Sequence, residues 1–264
     1  MMRTMKPYLI LCSAAMLLAL AVLPAQAGQK LFQYSTIDAL LSGVYDGDLT
    51  MGELKSHGGF GLGTLNALDG ELVVLDGVAF HVVAGGKAAP APDSARTPFA
   101  TVTEFDEDTI LKLSPANSLA EFNEKLVKGL PSRNAFYAIR IDGRFPWIKT
   151  RAIPAQKKPY QPLAQLVKKQ VIVKYTNLKG TLVGLWSPAF VKGMNVPGFH
   201  WHFLTEDRTA GGHVLDCSTT SVVARIDQLL ELAVKLPGSK EFAGANLEQD
   251  RDAELHSVEK GTAQ

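Results

Sequence analysis

The chain has 264 residues, 27 of them basic and 26 acidic, and 46% are hydrophobic. That apolar share excludes a disordered chain, and balanced charge with no basic stripe carrying interleaved aromatics argues against a nucleic-acid partner. Two cysteines, Cys12 and Cys217, leave no scope for a disulfide framework.

Arg3 and Lys6 precede an uncharged apolar run over 8–23, and Pro24-Ala25-Gln26-Ala27 follows it. A basic n-region, an apolar core and an A-x-A site read as a secretory signal peptide, residues 1–27, cut after Ala27. The apolar run is too short and wrongly flanked for a comfortable transmembrane helix. Export, to a bacterial periplasm or beyond, is therefore expected, with no membrane attachment after cleavage. About 237 residues then remain, enough for one large domain or two small ones. Cys217 is the one cysteine left to them, and apolar Val214 and Leu215 mark it as a buried structural thiol rather than a ligand.

Thr50 and Glu53 form a T-x-x-E capping box that predicts a short helix over 51–57. Short β-prone runs then alternate with Asp-Gly turns. Asp69-Gly70 separates strands over 61–68 and 71–75, Asp76-Gly77 separates the latter from 78–84, and Asp142-Gly143 separates 135–141 from 145–153. The stretch GGKAAPAPD, 85–93, reads as loop, and a strand is expected over 99–105. Ser118 and Glu121 form a second capping box, opening a helix over 119–128. The Pro-rich stretch 154–162 is the expected join between an N-terminal β-rich half, 28–155, and a C-terminal half, 156–264. Pro162 opens a helix to about Lys169. Further strands are expected over 171–176, 181–186, 198–205 and 213–217. The segment 222–236 fits neither period cleanly, with strand favoured for its first half, and 247–259 reads as a polar tail helix. Mostly antiparallel or mixed sheet with peripheral helices makes the fold class α+β.

The stretch 198–217, GFHWHFLTEDRTAGGHVLDC, carries the strongest chemical signal. Side chains alternate faces along a strand, so His200 and His202 project from one face. A hairpin through DRTAGG brings His213 beside them. Three neutral imidazoles make a metal site with an open position, and the spacing alone suits zinc, iron, nickel or copper alike. The glycine-rich segment HGGFGLGTLNALDGELVVLDG, 57–77, lacks the Gly-Lys-Ser/Thr of a phosphate loop and leads into a strand, so it reads as close backbone approach. By position alone Glu71 is a solvated carboxylate. Arg151 sits in an alternating strand pattern, facing either solvent or a site that handles a carboxylate.

Taken together, LLSGVYDGDLTMGEL, FGLGTLNALDGELVVLDG, TPFATVTEF, TRAIPAQKKPY and GFHWHFLTEDRTAGGHVLDC resemble the α-acetolactate decarboxylase family across nearly the whole mature chain. The resemblance implies a two-part α+β zinc enzyme, often a homodimer, that converts 2-acetolactate to acetoin and carbon dioxide through a metal-stabilised enediolate. It puts the zinc ligands on His200, His202 and His213. It makes Thr64, Glu71 and Arg151 active-site residues and adds a glutamate from the tail, Glu259 in preference to Glu254. Leu65, Gly59 and Trp201 depart from residues common in the family without touching the implied ligands. Two other readings compete. A cupin-like oxygenase or isomerase also carries H-x-H, but Glu206-Asp207-Arg208 opens the turn and no second cupin motif follows. A non-catalytic exported metal-binding protein would leave GTLNALDGE without a purpose.

Overall fold

The computed structural model describes residues 30–260; the expected signal peptide lies outside the described residues. In chain order the elements are β1 (Lys30–Tyr34), α1 (Ile37–Leu41), β2 (Leu49–Thr50), α2 (Met51–Lys55), β3 (Phe60–Thr64), β4 (Glu71–Leu75), β5 (Val78–Val82) and β6 (Ala88–Pro90). They continue with β7 (Arg96–Thr97), β8 (Phe99–Thr103), β9 (Thr109–Leu113), α3 (Leu119–Gly129), β10 (Phe136–Ala152), α4 (Leu163–Leu166) and β11 (Val171–Ser187). The last are β12 (Gly198–Thr205), β13 (Gly211–Ser218), β14 (Val222–Leu229), β15 (Glu231–Lys235), α5 (Lys240–Ala243) and α6 (Asp252–Lys260).

Two sheets carry the architecture. The first has seven strands in the order β15-β1-β8-β3-β4-β5-β6, and the second has six in the order β11-β12-β13-β10-β14-β9. In the second, β11 also pairs with β10, so the order closes on itself. Among the described residues every strand pairing is antiparallel except β1 with β15. The fold class is therefore α+β with mixed sheet. Leu62, Val73 and Phe80 of the first sheet share one core cluster with Ala138, Val183 and Leu204 of the second. Phe122 and Leu126, spaced one helical turn apart on α3, bury against the second sheet's other apolar face. The caps follow the sequence: Thr50 and Ser118 accept hydrogen bonds from the amides of Glu53 and Glu121.

The sheets correct several expectations. Asp142-Gly143 makes no turn, because β10 runs straight through it for 17 residues. Arg140, Thr181 and Arg225 hold the Asp142 carboxylate, and a Cβ on Gly143 would come 2.9 Å from Val222 Cγ1. That glycine answers to crowding rather than to a left-handed turn. Likewise 171–176 and 181–186 are one strand, β11. The strand expected over 61–68 stops at Thr64, so six residues rather than an Asp-Gly pair link β3 to β4. The loop over 85–93 contributes β6, both halves of 222–236 are strand, and the tail helix starts at Asp252 rather than 247. Asp76-Gly77 is the two-residue hairpin expected, with φ of 52° and 75° and Leu75 facing Val78. The segment 154–162 runs from the end of β10 to α4.

Candidate metal centre

His202 on β12 lies directly opposite His213 on β13, and His213 lies directly opposite Arg151 on β10. Opposed residues in antiparallel strands share a face, so three adjacent strands present one polar row. His200 joins that row two residues before His202. The row faces the start of β4, which brings Leu72 and Glu71 from the first sheet. A bulge helps to set it: β10 and β13 slip register between Lys149 and Thr150, opposite Asp216 and Val214, which leaves Leu215 unpaired just beyond His213.

All three imidazoles are buried, and their ligand atoms lie within 4.8 Å of one another. His202 Nδ1–H donates to the Leu72 carbonyl at 2.8 Å, which leaves the Nε2 lone pair facing inward. His200 Nε2 and His213 Nδ1 are 3.1 Å apart. Two nitrogens on one tetrahedral zinc, each at about 2.0–2.1 Å, would sit about 3.3 Å apart. Burial and the Arg151 charge push His200 down to about 3, and burial, with the neighbouring histidines and Arg151 adding to it, holds His202 and His213 well below the ordinary imidazole value. All three are thus held neutral at physiological pH, the form that can bind a metal. On the His200–His213 nitrogen spacing, the His202 tautomer and the neutral state of all three, the trio fits a divalent metal.

The other expected residues surround a small cavity that the histidines also line. Glu71 Oε2 is 3.4 Å from His202 Nε2, and Glu71 Oε1 is 3.9 Å from Arg151 Nη1. Glu259 on α6 puts Oε2 at 3.8 Å from His213 Nε2 and 3.9 Å from His200 Nε2. Glu254 points elsewhere and pairs with Arg251 at 2.7 Å. Burial pushes the Glu71 carboxyl up to about 8 and the Glu259 carboxyl up to about 7, in each case against the opposing pull of Arg151. Arg151 is 5% exposed, its Nε has no hydrogen-bond partner, and 3.9 Å to Glu71 is too long for one at Nη1. Donors of the guanidinium are therefore open to an anionic ligand. Thr64 lines the cavity, but its hydroxyl donates to the Gly70 carbonyl at 2.7 Å, so it braces the turn before Glu71. Cys217 is buried, its thiol pushed up to about 12 by burial.

Sequence reasoning did not anticipate the apolar half of this cavity. Ile37 and Leu40 of α1, Leu163 of α4, Phe99, Leu68 and Val258 form it. The i, i+3, i+4 spacing of Ile37, Leu40 and Leu41 on a short helix with a Thr36 cap was the available signal.

The profile of the alpha-acetolactate decarboxylase family matches residues 31–249. An alpha-acetolactate decarboxylase of Methanosarcina mazei is 46% identical over 234 residues, 89% of this chain and 81% of that protein. One from Methylococcus capsulatus is 44% identical over 230 residues, 87% of this chain and 88% of that protein. The crystal structure of the alpha-acetolactate decarboxylase of Bacillus subtilis strain 168 superposes with a TM-score of 0.85 at 39% identity, covering 88% of this chain and 100% of that one.

Proposed function

The chain belongs to the alpha-acetolactate decarboxylase family, and from that premise we propose that it is an exported zinc enzyme that turns 2-acetolactate into acetoin and carbon dioxide. The observation that carries this reading is the juxtaposition of three buried neutral imidazoles with a buried arginine that has open donors. The reading is a decarboxylation of a small anionic keto acid.

His200, His202 and His213 would hold the zinc, which supplies Lewis-acid polarisation of the substrate's ketone oxygen when bound. Arg151 binds and orients the anionic substrate with the donors that the protein leaves free. When the bond from C2 to the carboxylate breaks, carbon dioxide leaves and the electron pair passes into C2 and the C3 carbonyl, giving an enediolate. One proton added at C2 then completes acetoin. Glu71 and Glu259 are the carboxyls placed to pass that proton, and their burial raises both above the ordinary carboxylate range while Arg151 opposes the rise. The apolar wall from Ile37, Leu40 and Leu163 accommodates the substrate methyl groups and excludes bulk water from the enediolate.

The test is to mix purified protein with racemic 2-acetolactate and follow acetoin and carbon dioxide with and without a chelator. Equal amounts of both products, lost on chelation, are expected. A metal-loaded sample that forms no acetoin overturns the reading and favours the cupin-like or non-catalytic alternatives. Export by a signal peptide cut after Ala27 is part of the proposal, supported by the n-region and A-x-A site. So is a homodimer, which the family resemblance implies and sedimentation reads.

A further inference from the structure

Six residues join Thr64 to Glu71, and two of them hold a conformation that L-residues rarely adopt. Ala67 and Leu68 are both left-handed, with φ of 61° and 53°. Such a pair persists only where its surroundings enforce it. Here two neighbouring segments do so. The Asn66 side chain closes a ring on the Gly47 peptide: Gly47 N–H donates to Oδ1 at 2.9 Å, and Nδ2 donates to the Gly47 carbonyl at 2.9 Å. Ala67 N–H donates to the Tyr45 carbonyl at 2.8 Å, Gln156 N–H donates to the Ala67 carbonyl at 2.7 Å, and Gly70 N–H donates to the Ile153 carbonyl at 2.9 Å. Gly47 is itself held tightly on its other side, since a Cβ there would lie 1.8 Å from the Thr97 carbonyl oxygen. The turn therefore fixes the backbone just before Glu71 to the chain that continues from Arg151.

We propose that Asn66 is a positioning residue for the reaction: its clamp on Gly47 maintains the left-handed turn that sets Glu71 against Arg151 and His202. Asn66 does not line the cavity and acts only through Glu71, so the inference rests on the role given to Glu71 above. Two hydrogen bonds from one side chain restrain the turn, whereas a turn held by water alone would leave the carboxyl freer to move. Misplacing a reacting group by about 1 Å can cost about 100-fold in rate.

The test compares kinetics with backbone exchange. Asn66→Ala is expected to lower kcat about ten-fold or more while KM moves less than about two-fold and metal content stays unchanged. Adding Ala67→Gly, which removes the left-handed cost at that position, is expected to restore most of the lost kcat. Tyr137→Phe deletes a comparable clamp on the Ser132 turn, away from the cavity, and is expected to keep kcat. Amide hydrogen exchange over residues 65–72 reads the turn without any chemistry: it accelerates in Asn66→Ala and slows again in the double variant. Wild-type kcat in Asn66→Ala, wild-type exchange in its turn, or a double variant no better than the single one overturns the proposal. Should Asn66→Ala fail to fold, Asn66→Asp, which keeps the acceptor and loses the donor, carries the same comparison. A wild-type protein that makes no acetoin defeats the functional reading alone, since exchange still decides on the clamp.

Discussion

Gly184→Ala is a single methyl group that should disturb the metal centre from outside it. Gly184 on β11 lies directly opposite Trp201, the residue between His200 and His202. A Cβ there would lie 1.9 Å from Trp201 Cζ3, 2.2 Å from Cε3 and 2.6 Å from Cη2, where ordinary contact begins at 3.4 Å. The indole has to retreat by about 1.5 Å or β12 has to part from β11. Retreat is blocked on several sides. Trp201 is 2% exposed, stacks on Phe199 at 5.5 Å, meets Phe122 at 5.8 Å and donates through Nε1 to Asn123 at 3.0 Å. Overpacking a rigid ring belongs at the upper end of the usual range, about 3 kcal/mol. For a chain of this size that corresponds to a fall of about 6–12 °C in melting temperature. The strand that yields carries two of the three histidines, so zinc affinity should weaken by about 10–100-fold, as for a disrupted support of a ligand. Urea unfolding of the metal-free protein and competition for zinc with a fluorescent chelator measure the two effects separately. Stability within about 0.5 kcal/mol of wild type together with unchanged zinc affinity would refute the packing argument.

Further outcomes follow from the same geometry. His202→Ala should lose bound zinc and activity together, whereas Glu71→Gln should keep zinc and lose about 10²–10⁴-fold in turnover, as measured by metal analysis and acetoin formation. An active His202→Ala protein contradicts the ligand set. Asp227 is pushed up to about 7, first by burial and then by Asp108 and Asp106, against the hydrogen bond from the Asp106 amide. Its folded value lies above its unfolded one, so its contribution is complete below about pH 4 and is lost as pH rises through about 7, a loss of at most about 4 kcal/mol. Asp227→Asn should therefore gain stability over wild type at about pH 8 and much less at about pH 5; equal urea midpoint differences at both values would exclude this. Protein recovered from outside the cytoplasm should begin at Gly28 on N-terminal sequencing, and a start at Met1 argues against cleavage.

The parts of the site that a strand period can encode were readable. His200 and His202 share a face because they are two apart, and the DRTAGG hairpin returns His213 directly opposite His202. Glu71 and Arg151 were not readable from spacing, since each sits in an ordinary strand pattern and gains meaning only when β4 packs across the two sheets onto β12 and β13, where β10 places Arg151 opposite His213. Glu259 came through family resemblance alone, because its helix is polar and its approach to the histidines depends on how Leu255 and Val258 bury against α4. Turn chemistry was the main source of error. Asp76-Gly77 and Asp142-Gly143 are the same dipeptide, yet the first turns the chain and the second lies inside a 17-residue strand. Arg140 two residues away on the same strand and two cross-strand partners, Thr181 on β11 and Arg225 on β14, hold Asp142 in the strand, and no local window contains all three.

Restoring zinc to the metal-free protein tests the central claim most directly. After chelation and dialysis, acetoin formation from 2-acetolactate should be absent, should rise in proportion to added zinc and should plateau at one zinc per chain. In His202→Ala it should stay absent at every zinc concentration. A metal-free wild-type protein that forms acetoin at the full rate would contradict the account.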